Sequence, residues 1–106
     1  MNVIKLPQRR QQTQPKSDFG ALLGRLEKTL EWLEKHWCAP DAFGASTITG
    51  AYVHVPTERA GQVRQIIGDG AISTGRIVEK NGVTIERYIA VDPATGVQIK
   101  WEETWN

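Results

Sequence analysis

The chain's 106 residues allow one domain with one modest core, and leave little for enclosing a substrate. A single cysteine, Cys38, excludes an intrachain disulfide and fits a reducing compartment. Net charge is only +1, yet it is uneven: Lys5, Arg9, Arg10 and Lys16 meet no acid within residues 1–16, which leaves nine basic and twelve acidic residues for the remainder.

Residues 1–16 are expected to form a flexible basic arm, since Pro7 and Pro15 interrupt any helix and the Gln-rich composition has little to bury. Val3, Ile4 and Leu6 are the exception and could dock as a short strand. No apolar run of a signal peptide occurs in the first 17 residues. The longest uncharged stretch, 43–56, is too short for a membrane span, so a soluble, cytoplasmic protein is expected.

The strongest signal follows, over residues 17–38. Phe19, Leu23, Leu26, Leu30, Leu33 and Trp37 recur in steps of four and three, with Leu22 beside them, which predicts one apolar stripe along a helix. Ser17 is the expected cap and Asp18 suits the first turn, while Lys35 and His36 suit the last and Pro40 forbids continuation. Gly20 and Gly24 each cost up to about 1 kcal/mol relative to Ala, so the first turns need support.

Residues 39–45 read as a connection rich in turn formers. A strand is predicted over 46–55, with a bulge near Gly50 restoring Ile48 to the apolar side, and Pro56 ending it. Residues 57–67 predict a short helix, capped by Thr57 and stopped by Gly68, in preference to a strand over 63–67. Three strands follow at 72–80, 83–91 and 97–105.

Asn81-Gly82 predicts a two-residue hairpin loop pairing Val78 with Ile85, a register that also opposes Arg76 and Arg87. For the second hairpin a three-residue loop ending at Gly96 is preferred. It sets Val91 against Ile99, Ile89 against Trp101 and Arg87 against Glu103. A four-residue loop would place Ile89 and Val91 beside Lys100 and Gln98, away from the apolar face. The expected fold is thus α+β: a single domain over 17–106, with one long helix laid on an antiparallel sheet made of a three-strand meander and one earlier strand.

No catalytic or cofactor motif stands out, and no cofactor is expected. His36, Cys38 and His54 lack the paired spacing of a metal site. Cys38 with His36 or His54 has no orienting carboxylate in recognisable context. Arg76 and Arg87, if side by side, would make an anion-binding spot. Of the four tryptophans, Trp37 and Trp101 are assigned to the core. Trp32 falls on the outer helix surface near Arg25 and Lys28, and Trp105 stands near the end of the last strand.

Surplus surface aromatics in a small fold without a reaction motif point to a non-catalytic protein-interaction module. Its expected contacts are Trp32, Arg25, Lys28 and Trp105. The size suits a small regulatory, accessory or inhibitor protein of the kind mobile elements carry, and a homodimer through the helix surface is consistent with it. The alternative is nucleic-acid binding through Lys5, Arg9, Arg10 and Lys16, with an affinity that falls steeply with salt.

Overall fold

A computed structural model describes residues 18–106. The basic arm, the Val3/Ile4/Leu6 segment and the Ser17 cap lie outside the described residues. The elements in chain order are α1 (Asp18–Lys35), β1 (Ala42–Ser46), β2 (Gly50–Val55), α2 (Ala60–Ile67), β3 (Ile72–Val78), β4 (Thr84–Val91) and β5 (Gln98–Trp105). Short 3-10 turns, Thr57–Arg59 and Gly68–Gly70, flank α2. The strands form one five-stranded sheet in the order β1-β2-β5-β4-β3.

The α+β class is as expected, but the sheet is mixed. β2 and β5 pair in parallel at its centre, and every other pair is antiparallel. The β2-to-β5 connection carries α2 and the whole β3–β4 hairpin. Register puts Ala51, Val53, Val55, Ile99, Trp101 and Ala90 on one face, since alternate residues share a side. Those residues form a single cluster with Leu22, Leu26 and Leu33 of α1 and with Ala60 and Val63 of α2. Both helices therefore cover the same face: α1 over β1 and β2, α2 over β5.

Within α1 the buried line is Leu22, Leu26, Thr29 and Leu33. The predicted stripe is rotated from it, so Phe19 and Leu23 stand exposed on one flank. The cause is Thr29, a polar residue drawn to the centre by its bond to Asp92 (Oγ1 to Oδ2, 2.7 Å). Trp37 departs further, because α1 stops at Lys35. Cys38 N–H returns to the Leu33 carbonyl (2.9 Å) and Trp37 N–H to that of Glu34 (3.2 Å). This is a Schellman stop, with Trp37 in the left-handed position usually held by glycine (φ 62°) and Cys38 buried on Leu33's side of the core. Trp37 is consequently 77% exposed rather than in the core.

Residues 39–45 contain a strand rather than only a connection. β1 pairs Phe43 with Val53 and Ala45 with Ala51, and residues 47–49 form the turn into β2. Ile48 sits in that turn, exposed, so no bulge returns it inward. The helix predicted over 57–67 is present as a 3-10 turn running into α2, and Gly68 ends it with positive φ. Thr57 does not cap it; Pro56 holds that place without a side-chain bond.

Both predicted hairpin registers are corrected. Gly82 N–H bonds the Glu79 carbonyl and Glu79 N–H the Val83 carbonyl, giving a three-residue loop that pairs Val78 with Thr84 and Arg76 with Glu86. The opposition of two arginines is thereby removed. Between β4 and β5 the four-residue loop is the one formed, with Ile89 beside Lys100 and Val91 beside Gln98. Asp92 dictates it: its side chain accepts from Ala94 N–H (2.9 Å) and Thr29, and its carbonyl from Gly96 N–H (2.7 Å). Gly96 takes a positive φ there. No helix among the described residues is long and apolar enough to cross a membrane.

Candidate functional site

Among the described residues, nothing covers the sheet face opposite the helices. By register it carries Tyr52 and His54 from β2, Lys100 and Glu102 from β5, Arg87, Ile89 and Val91 from β4, and Ile72 from β3. Ile72 is 64% and Val91 55% exposed. β-branched residues are placed here because the four-residue loop sends Ala90, Tyr88 and Glu86 inward instead.

A hollow of about 430 Å³ lies in this face, lined by His54, Thr74, Arg87, Ile89, Lys100 and Glu102 among others. A register shift between Ser73 and Gly75 brings Thr74 to its rim, where the hydroxyl donates to the Arg87 carbonyl (3.4 Å). Arg87 Nε donates to Glu102 (3.0 Å), and His54 Nδ1 meets Asp41 at 2.7 Å. Lys100 has no carboxylate partner among the described residues; its ammonium stands 4.8 Å from the centre of the Tyr52 ring. Tyr52 in turn lies over Gly44, where a Cβ would come within 2.6 Å of the ring.

The Asp41–His54 pair orients an imidazole, but among the described residues no serine, threonine or cysteine hydrogen-bonds it. Cys38 is buried and donates to the His36 carbonyl, and burial pushes its thiol pKa up, against the influence of Arg59. A buried thiol of raised pKa is a poor nucleophile. The described residues contain no group of three or more His, Cys, Asp or Glu placed to hold a metal ion. The hollow is equipped to bind: one unpaired cation, one ion pair and the aliphatic side chain of Ile89.

A second polar cluster lies on the helix side. Tyr88 stacks on Trp101 (5.7 Å between centroids), the Arg64 guanidinium covers Tyr88 at 4.4 Å, and Arg64 Nε meets Glu103 at 2.6 Å. Trp101 Nε1 donates to the same Glu103 oxygen (3.0 Å). The hydrogen bond to Glu103 raises the Arg64 pKa. This cluster fixes α2 to β5 and β4, and its polar groups are used up in doing so.

The sequence-predicted contacts are not gathered in one place. Arg25 and Lys28 line a shallow groove on the outside of α1. Trp32, expected at the surface, is half-buried against the core beside His36. Trp105 lies near Arg64 and Gly61 of α2, with the Arg76 guanidinium 5.9 Å from its ring. Arg76 and Arg87 do not form an anion spot. They project from opposite faces, because their partners Glu86 and Glu102 do: Arg76 pairs with Glu86 at 2.8 Å. Lys5, Arg9, Arg10 and Lys16 lie outside the described residues.

Sequence reading missed Lys100, Tyr52 and the Asp41–His54 pair. Each depends on the β1–β2–β5 pairing, which no local pattern announces. No known family model matches this chain, and no curated protein matches it.

Proposed function

We propose that the protein is a non-catalytic protein-interaction module whose partner docks on the open sheet face. The observation that carries this reading is the one-sided cover: both helices pack on one face, while the other presents exposed Ile72, Val91 and Tyr52 around the unpaired Lys100. Contiguous exposed apolar surface rimmed by polar groups marks interaction sites. The occupant that fits is a protein segment offering apolar side chains and one carboxylate, the latter for Lys100 beside the Arg87–Glu102 pair.

A nucleic-acid partner is the weaker reading. Tyr52 is the only aromatic that the register puts on this face, and non-specific strand binding relies on several stacking rings. The arm that motivated it lies outside the described residues.

The test compares proteins captured by the full chain with those captured by Val91→Asp, Lys100→Glu and, as control, Glu58→Lys. The reading expects one protein to be lost from both open-face variants and kept by the control. Identical captures from all four overturn it. So does a capture that disappears on nuclease treatment, which would assign the face to nucleic acid.

A further inference from the structure

The sheet has two edges, and they differ in protection. Native edge strands are blunted by charges, prolines or bulges, because a bare row of amides pairs with any other strand. β3 carries Arg76 and the register shift between Ser73 and Gly75. β1, Ala-Phe-Gly-Ala-Ser, has no charge, no proline and an unbroken register with β2. Phe43 on this edge is 59% exposed.

The helix beside it is unfinished on the same side. Thr29 reaches Asp92 in the β4–β5 loop, so that flank of α1 points toward the sheet centre. Phe19, Leu23 and half-buried Leu30 lie on the opposite flank of the buried Leu22-Leu26-Leu33 line, which is the β1 side. Phe19 and Leu23 are exposed. An unblunted strand edge and an apolar helix flank thus run along one border of the molecule.

The geometry points to a second copy of this chain as the occupant of that border, with the two β1 strands antiparallel about a two-fold axis at Gly44. Ala42 then faces Ser46 of the second copy, and Phe43 faces its Ala45, so the apolar pair falls on the helix side. No like charges are opposed between the two β1 strands, since β1 has none. Strands about 4.8 Å apart put each β1 about 2.4 Å, and each β2 about 7.2 Å, from the axis. α1 packs on both strands, so its own axis lies about 5 Å out, and the two α1 helices run antiparallel about 10 Å apart. That is the ordinary packing distance of helices, and Leu23 and Leu30 fill the seam. The pairing makes one ten-stranded sheet from two five-stranded ones. It uses a different surface from the open face and stands or falls independently of the partner proposed there.

The experiment is sedimentation equilibrium of the full chain over a wide concentration range. The wild type is expected to dimerise, with Phe43→Glu and Leu23→Glu each weakening the dimer by at least about tenfold, as for central apolar contacts. Ile72→Asp, on the other edge, should leave it unchanged. Circular dichroism melts establish that each variant is folded. A mixture of Ala42→Cys and Ser46→Cys chains should form a disulfide between the two kinds of chain under mild oxidation, with neither variant linking to itself; Cys38 is buried and takes no part. A monomer at all concentrations overturns the inference. So does a dimer lost in Ile72→Asp but kept in Phe43→Glu, or self-linking in place of mixed disulfides. A chain that dimerises only after removal of residues 1–16 overturns it too, by assigning the edge to the chain's own leading segment.

Discussion

The Thr29 hydroxyl donates to the buried Asp92 carboxylate across 2.7 Å, tying the middle of α1 to the β4–β5 loop, 63 positions away in sequence. Thr29 has one proton and gives it to the carboxylate, so Thr95 is the donor in its 2.6 Å contact with Thr29, while Val97 N–H donates to Thr95 (3.2 Å). The result is a directed chain of donors ending on one acid. Thr29→Val leaves that acid short of a donor in a buried site, and should cost about 1–3 kcal/mol, read as a lower urea midpoint at unchanged slope. Asp92→Ala should cost at least as much, and the double variant less than the sum. Additive effects would show that the bond couples nothing.

Trp37 occupies a left-handed backbone position with its ring in solvent. Trp37→Gly removes the Cβ clash, so the variant should gain about 1 kcal/mol. On a domain of this size that is a rise of about 4–8 °C in melting temperature. Trp37→Ala keeps the clash and should leave the melt nearly unchanged. Equal effects from the two would mean that the ring, not the backbone, sets the stability.

Leu33 and Leu23 are both leucines of the predicted stripe, and the structure separates them: Leu33 is fully buried and Leu23 is exposed. Leu33→Ala should cost about 2–5 kcal/mol by chemical denaturation in dilute solution. Leu23→Ala should cost about 0.5 kcal/mol or less there. Similar losses at both would restore the straight heptad-like stripe and contradict the rotated one.

Hydrogen bonds from Ser73 and Arg76 hold Glu86 below the ordinary carboxylate range, with burial opposing them. Because the folded value is depressed, the stabilisation is fully present above the ordinary glutamate value of about 4.3 and is lost as pH falls through the lower folded value. Wild-type urea midpoints should therefore drop across that acid window more steeply than those of Glu86→Gln, which has no such proton to gain. Parallel profiles would show that Glu86 titrates alike in both states.

The sequence carried the helices, the turn at Gly82 and the approximate strand positions, because each rests on local periodicity or backbone chemistry. It did not carry β1. Ala-Phe-Gly-Ala-Ser has no β-branched residue, and its strand conformation comes from pairing with β2 rather than from propensity. The β4–β5 register was misjudged by sending Ile89 and Val91 to the core, whereas Asp92 selects a loop that turns them outward. Trp37 left the core because helical spacing does not continue past Lys35, where the chain turns left-handed, and Trp32 is half-buried because the buried line of α1 is rotated toward Thr29. The open face was illegible because Lys100 and Tyr52 meet across β2 and β5, strands paired in parallel over a long detour.

That detour has a kinetic consequence. β5 lies between β2 and β4 and, among the described residues, is the only strand touching both halves of the sheet. Until Trp101 and its neighbours have left the ribosome, the nascent chain holds a helix with one hairpin and a second hairpin that has no strand to join it to the first. Closure then waits for β5, and with it the burial of Ile99 and Trp101. During that interval the two incomplete halves expose their inner surfaces to chaperones and to one another.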